Sequence, residues 1–437
     1  MPSSGPLTIW MNDLRVGTWA QPRTGAPTFH YDPAWIASDA ARVLSLSRPF
    51  MPGNTPHRGA VVSNFFENLL PDSAAIRRRL QARFATGSTE AFDLLTAIGR
   101  DCVGAVQWLP DDEKPTGFDE VKGTPLDESG VEQTINAAVS GARLLGQIDD
   151  ADFRLSLAGA QEKTAVPFHR NRWFRPSGAT PTTHILKLPL GLVGNLQADL
   201  QDSVENAWLC SRLVAAFGLE TPPSEIAQFG ARKVLVVERF DRAKQSGWIA
   251  RLPQEDFCQA IGLPRPSNTN RTATRAAATI CACSIPALAP PPTNAPSSRP
   301  RSCSGSSPRP TATRRTSLSS TSAAAPTASP LFTRCFPRGP SSARAATHSL
   351  GQKRPSPWPS GPPTPLWKLK DIRPRHWSAV AQQAGLGDAD ALIHEILTLV
   401  PSALSTVGNL LPKTFPTHVS EKISSGIAQQ AKVLAAG

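Results

Sequence analysis

Lys187 lies inside an apolar strand-like run, His184-Ile185-Leu186-Lys187-Leu188-Pro189. An ammonium flanked by leucines needs an anionic partner, or else a sheet edge from which it can snorkel to water. Glu205, on the helix that follows, is the candidate partner, because kinases pair a strand lysine with a helix glutamate to hold nucleotide phosphates. Upstream, Ser156-Leu157-Ala158-Gly159-Ala160-Gln161-Glu162-Lys163 runs into a strand. Small residues at Ala158 to Ala160 let backbone N–H groups approach a phosphate closely. This is not a Walker loop, and a Gly-Ala turn joining two strands has the same letters. Downstream, Val234 to Arg242 takes a buried strand straight into the charged residues Glu238, Arg239, Asp241 and Arg242. A kinase hinge offers adenine its backbone hydrogen bonds at such a point, although an ordinary strand end reads the same way.

The elements that must position these groups follow from periodicity. Leu7 to Trp10 and Leu14 to Trp19 read as short strands around a polar turn. Asp72 to Ala85 reads as a helix capped by Asp72, and Ser88 to Ile98 as another. Pro110 to Ser129 is a polar, acidic connection or hairpin. Strands are expected at Lys163 to His169, His184 to Pro189 and Lys233 to Arg239. A helix is expected from Asp202 to Phe217, stopped by Gly218. Helical spacing returns at Ala379 to Ala384, Ala391 to Leu399 and Val419 to Leu434. The expected fold is α+β.

In this order and spacing the three motifs, together with Phe65-Phe66-Glu67-Asn68-Leu69-Leu70-Pro71, resemble the HipA family of bacterial serine/threonine-protein kinase toxins. The resemblance covers Leu7 to Pro264 and resumes from Trp367 onward. It implies a kinase-like two-lobe architecture: an N-terminal α/β subdomain over 1–110, an ATP-binding part over 130–264 and an all-α part over 367–437. It also implies that Ala158, Gly159, Ala160, Gln161, Glu162 and Lys163 form the ATP phosphate loop, with Ser156 the autophosphorylation site. Lys187 would contact the phosphates, supported by Glu205, and Glu238, Arg239 and Phe240 would line the adenine pocket. The implied cofactors are ATP and Mg. The implied partners are a HipB-like helix-turn-helix antitoxin, which supplies most DNA contacts, and an aminoacyl-tRNA synthetase as protein substrate.

Such a kinase also needs an aspartate to orient the substrate hydroxyl, an asparagine for magnesium and a further metal-binding aspartate. The family carries the first two in a stretch like TDGHAKNF and the third in one like TPLYDV. Neither occurs in this chain. From Arg265 to Leu366 there are twelve Arg, one Lys, 19 of the 43 prolines and no Asp or Glu. The composition is that of a disordered segment. No catalytic residue and no metal ligand can therefore be assigned.

The letters themselves suggest how this arose. With codons CGA-CCG-ACG-GCC-ACG-CGA-AGA-ACT-TCT for Arg309 to Ser317, reading from the third base gives TDGHAKNF. The same offset makes Ser267 to Ala276 compatible with Q-Y-K-S-N-G-D-P-G. It makes Ala325 to Pro340 compatible with Y-G-F-T-P-L-Y followed by S-A-W-P. Several matches at one constant offset indicate a segment read out of frame, with the frame restored near Trp367. After the recovered T-P-L-Y the offset permits Glu but no Asp, which departs from the family pattern. The expected consequence is little or no phosphotransfer and C-terminal helices deprived of the lobe they pack on.

The bulk numbers agree with this division. Setting the thirteen cations of the segment against the chain's net +12 leaves the remainder at −1, so the basicity belongs to one segment. That segment is also the basis of a second reading, a non-enzymatic binding protein with a disordered basic arm for nucleic acid. Cys102, Cys210 and Cys258 stand singly in apolar or helical surroundings, as reduced buried thiols do. Cys281 and Cys283 form a C-x-C without a second pair, which argues against zinc. There is no run of eighteen apolar residues and no secretory signal pattern, so a cytoplasmic protein with no membrane partner is expected.

Overall fold

The computed structural model describes residues 5–22, 24–111, 113–140, 161–193, 198–264, 372–384 and 389–436. Ser156, Ala158, Gly159 and Ala160 lie outside the described residues, as does the whole of Arg265 to Leu366.

The first unit is an antiparallel sheet covered by helices. β1 (Leu7–Met11) and β2 (Leu14–Ala20) are joined through Asn12 and Asp13, at φ 44° and 72°. Short polar side chains tolerate that left-handed pair, and a tight hairpin needs it. β3 (Thr28–Tyr31), β4 (His57–Arg58) and β5 (Val106–Pro110) complete the order β4-β3-β2-β1-β5. A Cβ at Gly17 would lie 2.3 Å from the carbonyl oxygen of His30, so glycine is what lets β2 and β3 close up there.

The covering helices are α1 (Pro33–Ile36), α2 (Ala60–Glu67), α3 (Ala74–Phe84) and α4 (Ala91–Ile98). Trp19 stacks on Phe66 at 3.7 Å and meets Phe92 and Trp108 edge-on, which places the aromatic core between sheet and helices. Ser73, not Asp72, caps α3, its Oγ accepting from the Ile76 N–H at 3.4 Å. The helix expected from Ser88 begins at Ala91 instead. The Glu67 carboxylate holds its start by accepting from the Ala91 N–H at 3.2 Å.

The second unit contains β6 (Gly123–Leu126), α5 (Glu128–Ser140), β7 (Lys163–Val166), β8 (Phe168–His169) and β9 (Arg172–Pro176). It continues with β10 (His184–Lys187), β11 (Gly191–Val193), β12 (Ala198–Leu200) and α6 (Ser203–Ala216). β13 (Ser224–Phe229), β14 (Arg232–Glu238), β15 (Arg242–Lys244), β16 (Ile249–Arg251) and α7 (Phe257–Ala260) complete it. The central sheet has the order β13-β14-β10-β7, all antiparallel.

Pro167 interrupts the strand expected from Lys163 to His169, because a proline has no N–H for the ladder. The polar stretch before α5 is not only a connection, since it contributes β6, paired with β9. The side chains of Asn64 and Asn68 donate to the carbonyls of Gly262 (2.8 Å) and Leu263 (3.2 Å). The Phe65–Pro71 motif and its neighbours thereby clamp the end of the second unit onto the first.

The C-terminal helices are α8 (Pro374–Ala384), α9 (Ala389–Asn409) and α10 (Thr417–Ala435). Two of them have a surface to rest on, contrary to expectation. Val407 and Val419 are buried with Trp208, Leu209 and Leu213 of α6, and Leu404, Phe415 and Ile423 flank them. His418 Nε2 reaches the Asp202 carboxylate at 2.8 Å. The first half of α9 is less covered, with Leu392 and Ile396 about half exposed. By length and composition α9 could cross a bilayer, yet its second half is committed to α6. Val407→Ala is therefore expected to cost roughly 2 kcal/mol by opening a cavity under α9. Faster protease cleavage within α9 and α10 would register the loss, and unchanged cleavage would deny the docking.

Candidate functional site

The two faces of the central sheet do different work, and the strand register decides which residue goes where. Leu186 is opposite Thr164 and Val236, and that face closes over Val131 and Ile135 of α5. One residue along, side chains point the other way. Lys187 is directly opposite Lys163 on β7 and Leu235 on β14, on the face where Leu235 and Val237 meet α6.

Two lysines thus stand side by side on one sheet face. Like charges at directly opposed positions are destabilising unless an anion lies between or above them. Lys187 has neither an ion pair nor a hydrogen bond among the described residues, and burial pulls its ammonium below the ordinary lysine value. The register thus puts Lys187, without a partner among the described residues, directly beside Lys163.

The expected support for Lys187 is not made. Glu205 projects from the first turn of α6 and is buried, but its Oε1 takes the ammonium of Lys233 on β14. Lys233 won because it is on the same sheet face as Lys187, two residues from the one opposite it. Glu205 Oε2 is buried with no hydrogen-bond partner among the described residues.

Gln161 and Glu162 are placed beside Lys163 but are engaged in structural contacts. The Gln161 side-chain amide donates to the Leu188 carbonyl. Glu162 accepts from the Leu188 N–H through its backbone at 3.1 Å and pairs through its carboxylate with Arg79 of α3. The end of the glycine-containing segment is therefore tied both to β10 and to the first unit.

The Glu238–Arg242 motif divides. Glu238 is half-buried at the strand end, and Phe240 is 48% exposed, free to face a ligand. Arg239 does not line a pocket: its side chain is fully buried, and its N–H donates to the Thr183 carbonyl at 2.8 Å. Its guanidinium donates to Asp241 (2.9 and 2.7 Å), Thr182 (2.9 Å) and the Cys102 carbonyl (2.7 Å). Arg242 reaches Asp101 at 2.9 Å, and Arg251 reaches it at 3.4 Å.

Three guanidiniums and two carboxylates thus form one buried cluster between the two units. Burial pushes the Asp101 and Asp241 carboxyls up, but the surrounding arginines more than offset this and hold both below the usual carboxylate range. Cys102 lies against this cluster, and burial pushes its thiol up to about 12, so it is inert as a nucleophile.

Sequence reasoning missed Lys233, Arg79 and Asp101. The alternation of Lys233 with Leu235 and Val237 carried the first, since it puts all three on one sheet face. Nothing local marked Asp101, whose partners are 81 to 150 residues away. Among the described residues there is no group of three or more His, Cys, Asp or Glu that could hold a metal ion.

Comparisons with known proteins match two stretches of the chain. The family model described as the HipA N-terminal domain matches residues 7–109, and that described as the HipA-like C-terminal domain matches 155–289. A Sinorhizobium fredii protein named as a kinase, Y4mE, is 36% identical over 264 residues, 59% of this chain and 59% of that protein. The serine/threonine-protein kinase toxin HipA of Shewanella oneidensis is 29% identical over 268 residues, 60% of this chain and 57% of that protein. The chain therefore spans less than two thirds of the length of either relative. A solved structure of the Shewanella oneidensis toxin–antitoxin complex of HipA, HipB and operator DNA resembles the fold with a TM-score of 0.60. Sequence identity there is 20%, over 96% of both chains.

Proposed function

Because the chain belongs to the HipA family, we propose that its central sheet is the nucleotide-holding half of a serine/threonine-protein kinase that has lost its catalytic segment. The observation that carries this reading is the opposition of Lys163 and Lys187 on the α6 face, with Lys187 desolvated and lacking an anionic partner among the described residues. A triphosphate is the anion that would satisfy Lys187. Ala158 to Ala160 would present backbone N–H groups to it, and Phe240 would stack beside the base. Ser156 remains the proposed modification site of that loop.

The absence of any carboxylate from Arg265 to Leu366 supports the inactive half of the proposal. ATP with Mg would be the substrate pair of the in-frame relative, and magnesium would neutralise phosphate charge there. The residues that would grip it are the ones this chain does not carry. An antitoxin like HipB, DNA reached through that antitoxin, an aminoacyl-tRNA synthetase as substrate and a cytoplasmic site of action belong to the same proposal. The out-of-frame origin of the basic segment does too.

Titration with a fluorescent ATP analogue tests the nucleotide half. Binding is expected in the wild-type chain, weakened roughly tenfold or more in Lys187→Ala by loss of a charge-assisted contact of about 1.5–3 kcal/mol. Equal affinity in the two proteins would remove Lys187 from the site. The competing reading, a basic arm for nucleic acid, predicts salt-sensitive DNA binding that disappears when Arg265 to Leu366 is deleted.

A further inference from the structure

Glu205 is a carboxylate set against the sheet face that carries both Lys187 and Lys233. Its side chain is 7% exposed, on the first turn of α6, and one oxygen is spent on Lys233. The other oxygen is buried and has no donor among the described residues. A buried carboxylate oxygen without a donor is costly, and so is a half-buried, poorly solvated ammonium without an acceptor. Both deficits occur against the same sheet face, on neighbouring strands. Lys187 is opposite Leu235, and Lys233 is two residues along β14 on that same face. Side chains in that diagonal relation are separated by about 7–8 Å, within reach of long side chains. α6 bears on β14 through Leu235 and Val237, and Leu235 is both opposite Lys187 and two residues from Lys233.

We infer that Lys233 is a positioning residue that parks Glu205 away from Lys187, so that the strand-lysine to helix-glutamate pair forms only when Glu205 changes partner. The two pairings share one acid, and each leaves one ammonium without it. That makes a two-state element, with the orientation of Lys187 set by which lysine holds Glu205. Among the described residues the charged groups facing this side of the sheet are Lys163 on β7, Lys187 on β10, Lys233 on β14, and Glu205 and Arg212 on α6, Arg212 donating to the Ser224 carbonyl of β13. The consequence for phosphate binding rests on the nucleotide reading above. The exchange itself does not, and its test requires no nucleotide.

The test is trace acetylation of the full chain across pH, read at Lys187 by mass spectrometry, since only the neutral amine reacts. In Lys233→Gln, Glu205 has one cation left to satisfy. The midpoint of Lys187 labelling is then expected to move up by about one pH unit or more, as an opposite charge within contact distance dictates. Labelling near neutral pH should fall roughly tenfold with it. Lys233→Arg should restore the wild-type profile. Lys233→Gln combined with Glu205→Gln should remove the upward movement, which general loosening of the fold would not do. An unchanged Lys187 profile in Lys233→Gln, in protein whose thermal unfolding matches wild type, overturns the inference. So does an upward movement that persists without Glu205. Failure of nucleotide binding alone leaves this result intact and rejects the site reading instead.

Discussion

Replacing Asp101 by Ala is expected to lower the stability of the chain by about 3–5 kcal/mol, the cost of removing one partner from a buried ion cluster. Asp101 is 6% exposed, and its two oxygens serve five donors. Oδ2 accepts from the Thr182 hydroxyl at 2.6 Å, the Thr182 N–H at 3.1 Å and Arg239 at 3.5 Å. Oδ1 accepts from Arg242 and Arg251. Without it, Asp241 serves only Arg239 and Arg242 of the three guanidiniums, and Arg251 is left buried with the Ala179 carbonyl and no carboxylate among the described residues. Domains are stable by roughly 5–15 kcal/mol, so the loss is a large part of the whole.

The midpoint of chemical denaturation should fall accordingly. Asp101→Asn, which keeps the shape and loses the charge, should fall between the two. A change under about 1 kcal/mol in Asp101→Ala would mean the cluster relaxes or fills with water and holds nothing. The pH dependence has a definite sign. Both Asp101 and Asp241 have folded values held below their ordinary ones. Their contribution is complete above an unfolded carboxylate value near about 3.9 and is lost as the pH falls below it. Acid unfolding of the wild type should be steep there, and Asp101→Asn should be less sensitive.

This cluster marks the boundary of what the letters could disclose. Strands β1, β2, β10 and β14 and helix α6 were legible because their apolar periodicity is local, and each begins and ends within two residues of expectation. Lys187 was legible for the same reason, as a charge in an apolar strand. Its partner was not. Whether Glu205 meets Lys187 or Lys233 depends on how α6 is set across the sheet, a distance of one strand and two residues that periodicity does not encode. Arg239 shows the opposite failure. A charged residue after a buried strand suggested a ligand, yet its partners are Asp241, Thr182 and the backbone of Cys102. The alternating charges of Arg239, Asp241 and Arg242 were a sign of internal pairing as much as of a site. α9 and α10 were found as helices, but their seat on α6 depends on Trp208 and Val407, about two hundred residues apart.

The largest expected effect concerns phosphate transfer and follows from acid that is not there. Purified chain with radioactive ATP and magnesium is expected to label neither itself nor a protein acceptor. A version with the frame restored between Arg265 and Leu366 should label at a rate higher by roughly 10³-fold or more, the usual scale for regaining catalytic groups that act as a unit. Lys187→Ala in the restored protein should lose most of that rate, since the lysine aligns the phosphates that the recovered Asp and Asn act upon. Restoration should also cover the exposed Leu392 and Ile396 of α9 if their apolar surface belongs against that lobe. Labelling by the present chain at a rate comparable to the restored one, lost on Lys187→Ala, would sink the proposal. Phosphate would then be moving without any carboxylate from the segment that should supply it, and catalysis would have to be sought among the described acids. Glu205 would be the first to replace, because it is the buried acid on the lysine face with an oxygen to spare.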